Sequence, residues 1–424
     1  MTLAETPADP PVPLQHNRDF RMLWGGAGLA LLGGRTTAFA YPLMALWATG
    51  SSRTAGLVGF ALLLPLLLMQ LPGGALVDRC DRRQLMLCCG AGSALVGAGV
   101  AAALLSGTIW LPHLLASAFA EGSLMMLYQL AERAAVPALV TPEQLPAALV
   151  RNEARTRAAS VLGQPIGSGL AGVAVGLPFL FASLAQVASL GFLARARGPF
   201  QEASDIPRRS LASEMREGLT WLWGQRFLRA VIAAVAVTNV LFQGLNLAVM
   251  AAMKDDGRSA LSIGLVTMLS GVGGLVGSLN AGRWMRWCTM RTLVVSGLVV
   301  WTVLMVPVAG LHHAVALGAL FAASGYVGGV FNVAAGVLLS SIAPSHMQGR
   351  ANSVVILVGS GAMAVGPLIT GFLLDAVGSA RTVLILSAVM GVTAALAAVS
   401  PGVRAGATLP HPARRQRAEA DPCA

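Results

Sequence analysis

The sequence predicts an all-α integral membrane protein of twelve transmembrane helices, arranged as two pseudo-symmetric halves of six. Three observations carry that prediction. The chain is 55% hydrophobic and only 11% charged, far from the roughly 25% charged residues of a soluble domain. Its few charges are bunched, leaving long apolar runs between them. The two halves of the chain also repeat each other's proline and glycine positions at a fixed spacing.

The spans follow in order. Residues 22–48 form the first, broken only by Arg35. Residues 54–77 contain no Asp, Glu, Lys or Arg and are long enough to cross a hydrocarbon core of about 30 Å as the second. Residues 84–131 are interrupted only by Glu121 and turn near "SGTIWLPH", 106–113, giving spans 3 and 4. The run 158–194 would measure about 55 Å as one helix, so it folds back at "GLP", 176–178, into spans 5 and 6. Residues 230–253 and 259–282 supply spans 7 and 8, and 292–349 folds back near "GLHH", 310–313, into spans 9 and 10. Residues 351–374 and 382–403 complete the set.

Basic residues orient the spans, because cytoplasmic loops retain Arg and Lys while translocated loops do not. With the N-terminus inside, 24 cations fall on the inner side and only Arg53, Lys254, Arg258 and Arg381 on the outer. Both termini are therefore expected in the cytoplasm of a multi-pass cell-membrane protein. The formal charge of +11 reads as a basic inner face against the lipid bilayer, not as a nucleic-acid surface. Residues 1–19 show no cleavable signal pattern. The five cysteines fall at or near the cytoplasmic side without disulfide or metal spacing, so reduced thiols are expected. The organisation read from these runs is a cytoplasmic segment 1–21, a six-helix half 22–194, a central cytoplasmic loop 195–229, a second half 230–403 and a disordered tail 404–424.

The halves repeat. At an offset of 202, Pro142 matches Pro344, Pro165 matches Pro367, Gly169 matches Gly371 and Gly176 matches Gly378. At an offset of 208, "GLV" 56–58 matches "GLV" 264–266, and Gly74, Arg83 and Leu85 match Gly282, Arg291 and Leu293. Such repeats in transporters place the substrate site near the midplane, between the halves.

The densest cluster of charge lies in "LPGGALVDRCDRRQLM", 71–86, the tight turn between spans 2 and 3. Its Gly74, Asp78, Arg79, Arg82 and Arg83 meet the loop pattern Gly-x-x-x-Asp-Arg-x-x-Arg-Arg, and here the sequence resembles the major facilitator superfamily. The resemblance runs along almost the whole chain to the twelve-span proton-driven efflux branch that includes macrolide and enterobactin-type siderophore exporters. It is carried by "NRDFRMLW" 17–24, "PLMALWATGSS" 42–52, "LVTPEQLPAALVRNEA" 139–154 and "IAPSHMQGRANS" 342–353. Three positions depart from it: Gly34 stands where that branch often has an acidic residue, Gln164 and Ser168 replace two glycines of the span 5 pattern, and Arg286 stands where the repeat would place Asp.

The resemblance implies a gating role for the charged turn. Asp78 would sit beside the N-terminus of span 11, near Gly349 and Arg350, where about half a positive charge resides. Arg79, Arg82 and Arg83 would satisfy nearby carboxylates and carbonyls, or serve only to fix topology. Asn239, Gln243 and Asn246 share one face of span 7, and Asn332 of span 10 would be a counterpart in role. The resembled fold places these spans around the cavity, so the four are substrate-cavity candidates, with interhelical hydrogen bonding as the equal alternative. Pro165 and Pro367 should kink spans 5 and 11. The glycines 271–277 of span 8 read as close helix packing, and His312, His313 and Asp375 as solvated outer residues.

Arg35 and Glu121 are the charges deep within spans, at similar levels by helix rise. An unpaired charge at the bilayer centre costs roughly 3 kcal/mol on insertion scales, so pairing or hydration is expected. A carboxyl beside a guanidinium that moves away can take up a proton, which makes the two the candidate proton-coupling site. The function expected is secondary active export of an amphipathic small organic molecule, such as a drug, siderophore or secondary metabolite, by proton antiport with alternating access. An importer in the same fold is the alternative. A membrane-embedded enzyme is the different class, and the loops offer no nucleophile, base or metal-ligand constellation for it. No cofactor or metal is expected, no nucleotide-binding pattern occurs, and the chain is expected to act as a monomer.

Overall fold

The computed structural model describes residues 13–108, 110–198, 200–201, 211–344 and 347–404. The side chains of Leu71, Arg350, residues 211–215 and Gly218 also lie outside the description. So do most of the predicted N-terminal segment and the tail beyond Arg404.

The described chain is helical throughout, in the order the charge spacing predicts. Span 1 is Arg18–Thr49, and span 2 comprises Ser52–Leu68 and Gln70–Arg79. Spans 3 to 6 are Arg82–Leu105, Leu111–Leu139, Leu145–Val173 and Leu177–Arg195. Spans 7 and 8 are Arg226–Asp255 and Ala260–Trp287, and span 9 is Met290–Met305, which tightens into a 3-10 turn at Val306–Ala309. Spans 10 to 12 are Ala314–Ile342, Gln348–Val377 and Ser379–Val399. Among the described residues nine helices are long and apolar enough to cross a membrane, and the two pieces of span 2 make a tenth. Spans 1 and 5 complete the twelve: charged and small residues dilute their hydropathy, but at 32 and 29 residues they exceed the length a crossing needs.

Both ends of the described chain lie at one face of the bundle, here the terminal face; the opposite one is the far face. Sharp turns at the far face use glycine where the backbone needs positive φ: Gly50, Gly107, Gly257 and Gly378. Caps repeat with the 208-residue offset. Ser51 accepts from Thr54 N to cap span 2, and Ser259 from Ser262 N to cap span 8; Asp81 and Thr289 cap spans 3 and 9 in the same way.

Two interfaces join the halves, spans 2 and 11 on one side and spans 5 and 8 on the other. Both depend on small residues. A Cβ at Gly56 would collide with the Pro367 carbonyl oxygen and stand 2.9 Å from Gly371 Cα, and one at Gly264 would collide with the Ser168 hydroxyl. The predicted close packing of span 8 is made with span 10, where a Cβ at Gly277 would collide with the Tyr326 carbonyl oxygen.

The structure corrects three details. Span 2 is not one helix: its pieces meet at 59°, because Pro72 has no N–H for the Leu68 carbonyl and its ring crowds that turn. Pro165 and Pro367 both lie inside the helices of spans 5 and 11. Spans 4, 5 and 7 extend beyond their charge-free runs, to Leu139 and from Leu145 and Arg226. Finally, the central loop contains a helix, Leu211–Gly224, packed on spans 11, 7 and the short piece of span 2.

Candidate functional site

A cavity of about 250 Å³ opens where spans 1, 2, 5, 7, 8 and 11 meet. Its apolar wall includes Phe39, Leu62 and Met250, and its polar groups come from Arg35, Ser160, Gln164, Gln243, Asn246 and Thr267. Pro165 lies beside Gln164 in span 5, and Pro367 lines the wall directly. Two of the predicted span 7 amides, Gln243 and Asn246, therefore reach the space between the halves. The other two cavity candidates, Asn239 of the same span and Asn332 of span 10, do not. Asn239 and Asn332 line a second cavity, also about 250 Å³, within the second half and edged by Arg157 of span 5; there Asn239 donates to the Gly359 carbonyl of span 11 at 3.1 Å.

Arg35 extends into the central cavity and is exposed to it. It also borders a smaller space of about 100 Å³, shared with Glu121, Gly34, Met125 and Gln129. The predicted pair thus faces one space, but no ion pair joins the two among the described residues. Glu121 is 4% exposed and turns to span 3, where Ser93 Oγ stands 2.8 Å from each carboxyl oxygen. In that geometry the serine can donate to one oxygen and accept from the other when the carboxyl holds a proton.

A buried pair occurs elsewhere, between residues the charge spacing assigned to loops. Arg155 Nη2 meets Glu132 Oε1 at 2.7 Å with both side chains about 5% exposed (5% and 6%). Arg155 Nη1 donates to the Trp24 carbonyl at 3.1 Å, and the guanidinium lies 6.0 Å from the Trp24 ring. This knot joins spans 1, 4 and 5. The signal was the apolar "AAVPALV" after Arg133, which carries span 4 past Glu132 to Leu139.

Among the described residues, the side-chain hydrogen bonds of Arg82 and Arg83, in the charged turn after span 2, lie within their own half. Arg82 Nη1 donates to the Ala134 and Phe200 carbonyls at 2.9 and 3.3 Å, and Arg83 reaches the Leu193 and Ala194 carbonyls at 3.2 and 2.9 Å. These arginines tie the turn to the last turns of spans 4 and 6 and to the segment that follows span 6. Asp81 caps span 3 at 2.7 Å, while Arg79 is exposed. Gly74 lies in the short piece of span 2, and Asp78, in its last turn, is engaged and not free. The Arg350 side chain is outside the described residues. Asp375, expected to be merely solvated, is exposed but accepts three hydrogen bonds from the start of span 2. His312, also expected in solvent, is exposed and meets Asp256 at 2.8 Å.

A helical membrane bundle with a polar-lined cavity at the junction of its halves is the build of a transporter for small molecules, not of an enzyme. The chain belongs to the Major Facilitator Superfamily, whose sequence model matches residues 23–315 and 232–422. It is 27% identical over 406 residues to the multidrug efflux pump Tap of Mycolicibacterium fortuitum, covering 91% of this chain and 95% of that one. It is 26% identical to the Tap pump of Mycobacterium tuberculosis over 393 residues, covering 89% and 92%. Among solved structures, the fold is similar to that of a bacterial homologue of the lysosomal transporter Spinster, inward-facing and unoccupied, with a TM-score of 0.75, 13% identity and coverage of 92% and 98%. It is also similar to a D-xylose-proton symporter, with a TM-score of 0.65, 16% identity and coverage of 91% and 98%.

Proposed function

We propose that the protein exports amphipathic small organic molecules from the cytoplasm by proton antiport with alternating access, and that Glu121 carries the proton. The terminal face is the cytoplasmic one in this reading, following the distribution of arginines. Likeness to multidrug efflux pumps supports the direction and the broad cargo class.

The observation that carries the proton assignment is the setting of Glu121, a carboxyl 4% exposed with a single serine as partner, at the edge of a space shared with the unpaired guanidinium of Arg35. A carboxyl so placed changes charge when water or a neighbouring charge comes or goes, as exchange requires. Arg35 tunes that change, and Gln243 and Asn246 orient cargo against the apolar wall. Glu121→Gln keeps the volume and the serine bond but cannot carry a proton. In inside-out vesicles it is expected to abolish uptake driven by a pH difference while retaining substrate binding and passive exchange. A Gln variant that still concentrates substrate in response to a pH difference removes Glu121 from the coupling role.

A further inference from the structure

The far-face end of span 11 carries a contact that neither the charged turn nor the cavity explains. Asp375 Oδ1 accepts from the backbone N–H groups of Ser52 and Arg53 at 3.1 and 3.3 Å, and Oδ2 accepts from Ser51 Oγ at 3.2 Å. These three donors are the cap and first two residues of span 2, in the other half of the chain. Ser51 meanwhile accepts from Thr54 N at 3.2 Å. The first-turn amides of span 2 are thus divided between its own cap and a carboxylate from the opposite half. A negative charge in that position also meets the positive end of the helix.

The surroundings are built for contact between halves at this end. One turn further along span 2, Gly56 meets Gly371 and Pro367 with no room for a side chain. Arg53 leaves its backbone to Asp375 and sets its guanidinium 4.5 Å over the Phe372 ring. On the neighbouring side, Lys254 of span 7 donates to the Leu46 carbonyl of span 1 at 2.9 Å, a second tie between halves.

We infer that Asp375 is the outer latch of the transporter: it holds spans 2 and 11 together while the cavity is shut to the outside, and it must leave the span 2 N-terminus for the outer face to open. The contact is solvent-exposed, so water can replace each bond as it breaks, and the bias it supplies is reversible. It mirrors what the resemblance implies for Asp78. Span 2 would offer its carboxylate to span 11 at the inner face, and span 11 offers Asp375 to span 2 at the outer face. The inference concerns which face opens and does not depend on Glu121 or on the cargo.

The test uses a reporter thiol in the central cavity, introduced by Ser160→Cys, in the full chain with Cys80, Cys88, Cys288 and Cys423 replaced by serine and buried Cys89 kept. Intact cells are treated with a membrane-impermeant thiol reagent. With Asp375→Ala the reporter thiol should label about tenfold faster from outside than in the Asp375 parent, the scale of losing a charge-assisted cap. Asp375→Asn, which keeps an acceptor but not the charge, should fall between the two and guards against a variant that fails to fold. Parent-like rates in both variants would overturn the latch. So would faster labelling of the reporter accompanied by labelling of Cys89, which signals general loosening.

Discussion

The Glu132–Arg155 pair permits a quantitative test of what holds the first half together. At a charge separation near 4 Å and an effective dielectric of about 20, two unit charges attract by about 4 kcal/mol, and desolvation of both ions offsets most of that gain. Removing one partner leaves the other's desolvation without its compensation, a loss of roughly 3–5 kcal/mol. The two directions differ. In Glu132→Gln, Arg155 stays ionised but keeps the Trp24 carbonyl and ring, so the lower end, about 3 kcal/mol, is expected. In Arg155→Met, Glu132 is left buried without its cation or any other charge partner, so a loss toward the upper end of that range is expected. The double variant Glu132→Gln, Arg155→Met removes both ions and should lie within about 1 kcal/mol of the parent. Thermal unfolding in detergent, followed by tryptophan fluorescence at a fixed scan rate, reads the cycle. The singles should fall by several degrees and the double should recover most of that loss. Additive losses in the double would show that the pair is not a coupled unit and would refute the reasoning.

Three further outcomes are expected. Gly277→Ala should separate spans 8 and 10, since its Cβ meets the Tyr326 carbonyl, and lower stability by roughly 1–3 kcal/mol in the same assay. A reporter active only in the cytoplasm should be active after Ser400 or within 198–210 and silent near Asp255; the reverse pattern would overturn the orientation. Asp78→Asn should insert normally yet impair transport, with less outside labelling of a cavity cysteine, because it weakens the outward-open state; equal labelling in variant and parent would argue against an inner latch at Asp78.

Much of the architecture was legible because hydrocarbon is a demanding solvent. A charge-free run of sufficient length has few other places to be, and the spacing of glycine and proline retained the repeat. What the charges marked, however, was the hydrocarbon portion of each helix and not the helix itself. Span 5 begins at Leu145, so Arg151, Glu153, Arg155 and Arg157 are all helical; Arg155 turns inward to Glu132 while the other three are exposed. Rotation about a helix axis decides that, and linear spacing does not report it. The same limit explains Arg35 and Glu121: helix rise placed them at one level, but Glu121 turns to Ser93 on span 3 and Arg35 into the central cavity. It explains the divided amide stripe too, since Asn239 looks toward span 11 while Gln243 and Asn246 look between the halves. Pro72 is the local signal of the break, and its apolar flanks hide it from charge spacing.

The broken span 2 connects these observations. Its long piece belongs to the interface between halves, through Gly56 against Gly371 and through its N-terminus on Asp375. Its short piece belongs to the first half: a Cβ at Gly73 would meet Leu127 and Leu130 of span 4 at 2.9 and 3.1 Å, and the turn that follows is tied to spans 4 and 6 by Arg82 and Arg83. A continuous helix held at both ends would force the two faces to move as one lever. The break at Pro72 places the two sets of contacts on separate helical pieces, the long one against span 11 and the short one against span 4. The lining of the cavity divides similarly, with Leu62 and Leu63 on the long piece beside Arg35. Any displacement of that piece changes the space around Arg35 and Glu121 directly. If Glu121 carries the proton as proposed, opening of a face and the environment of that carboxyl would be joined through this one helix segment.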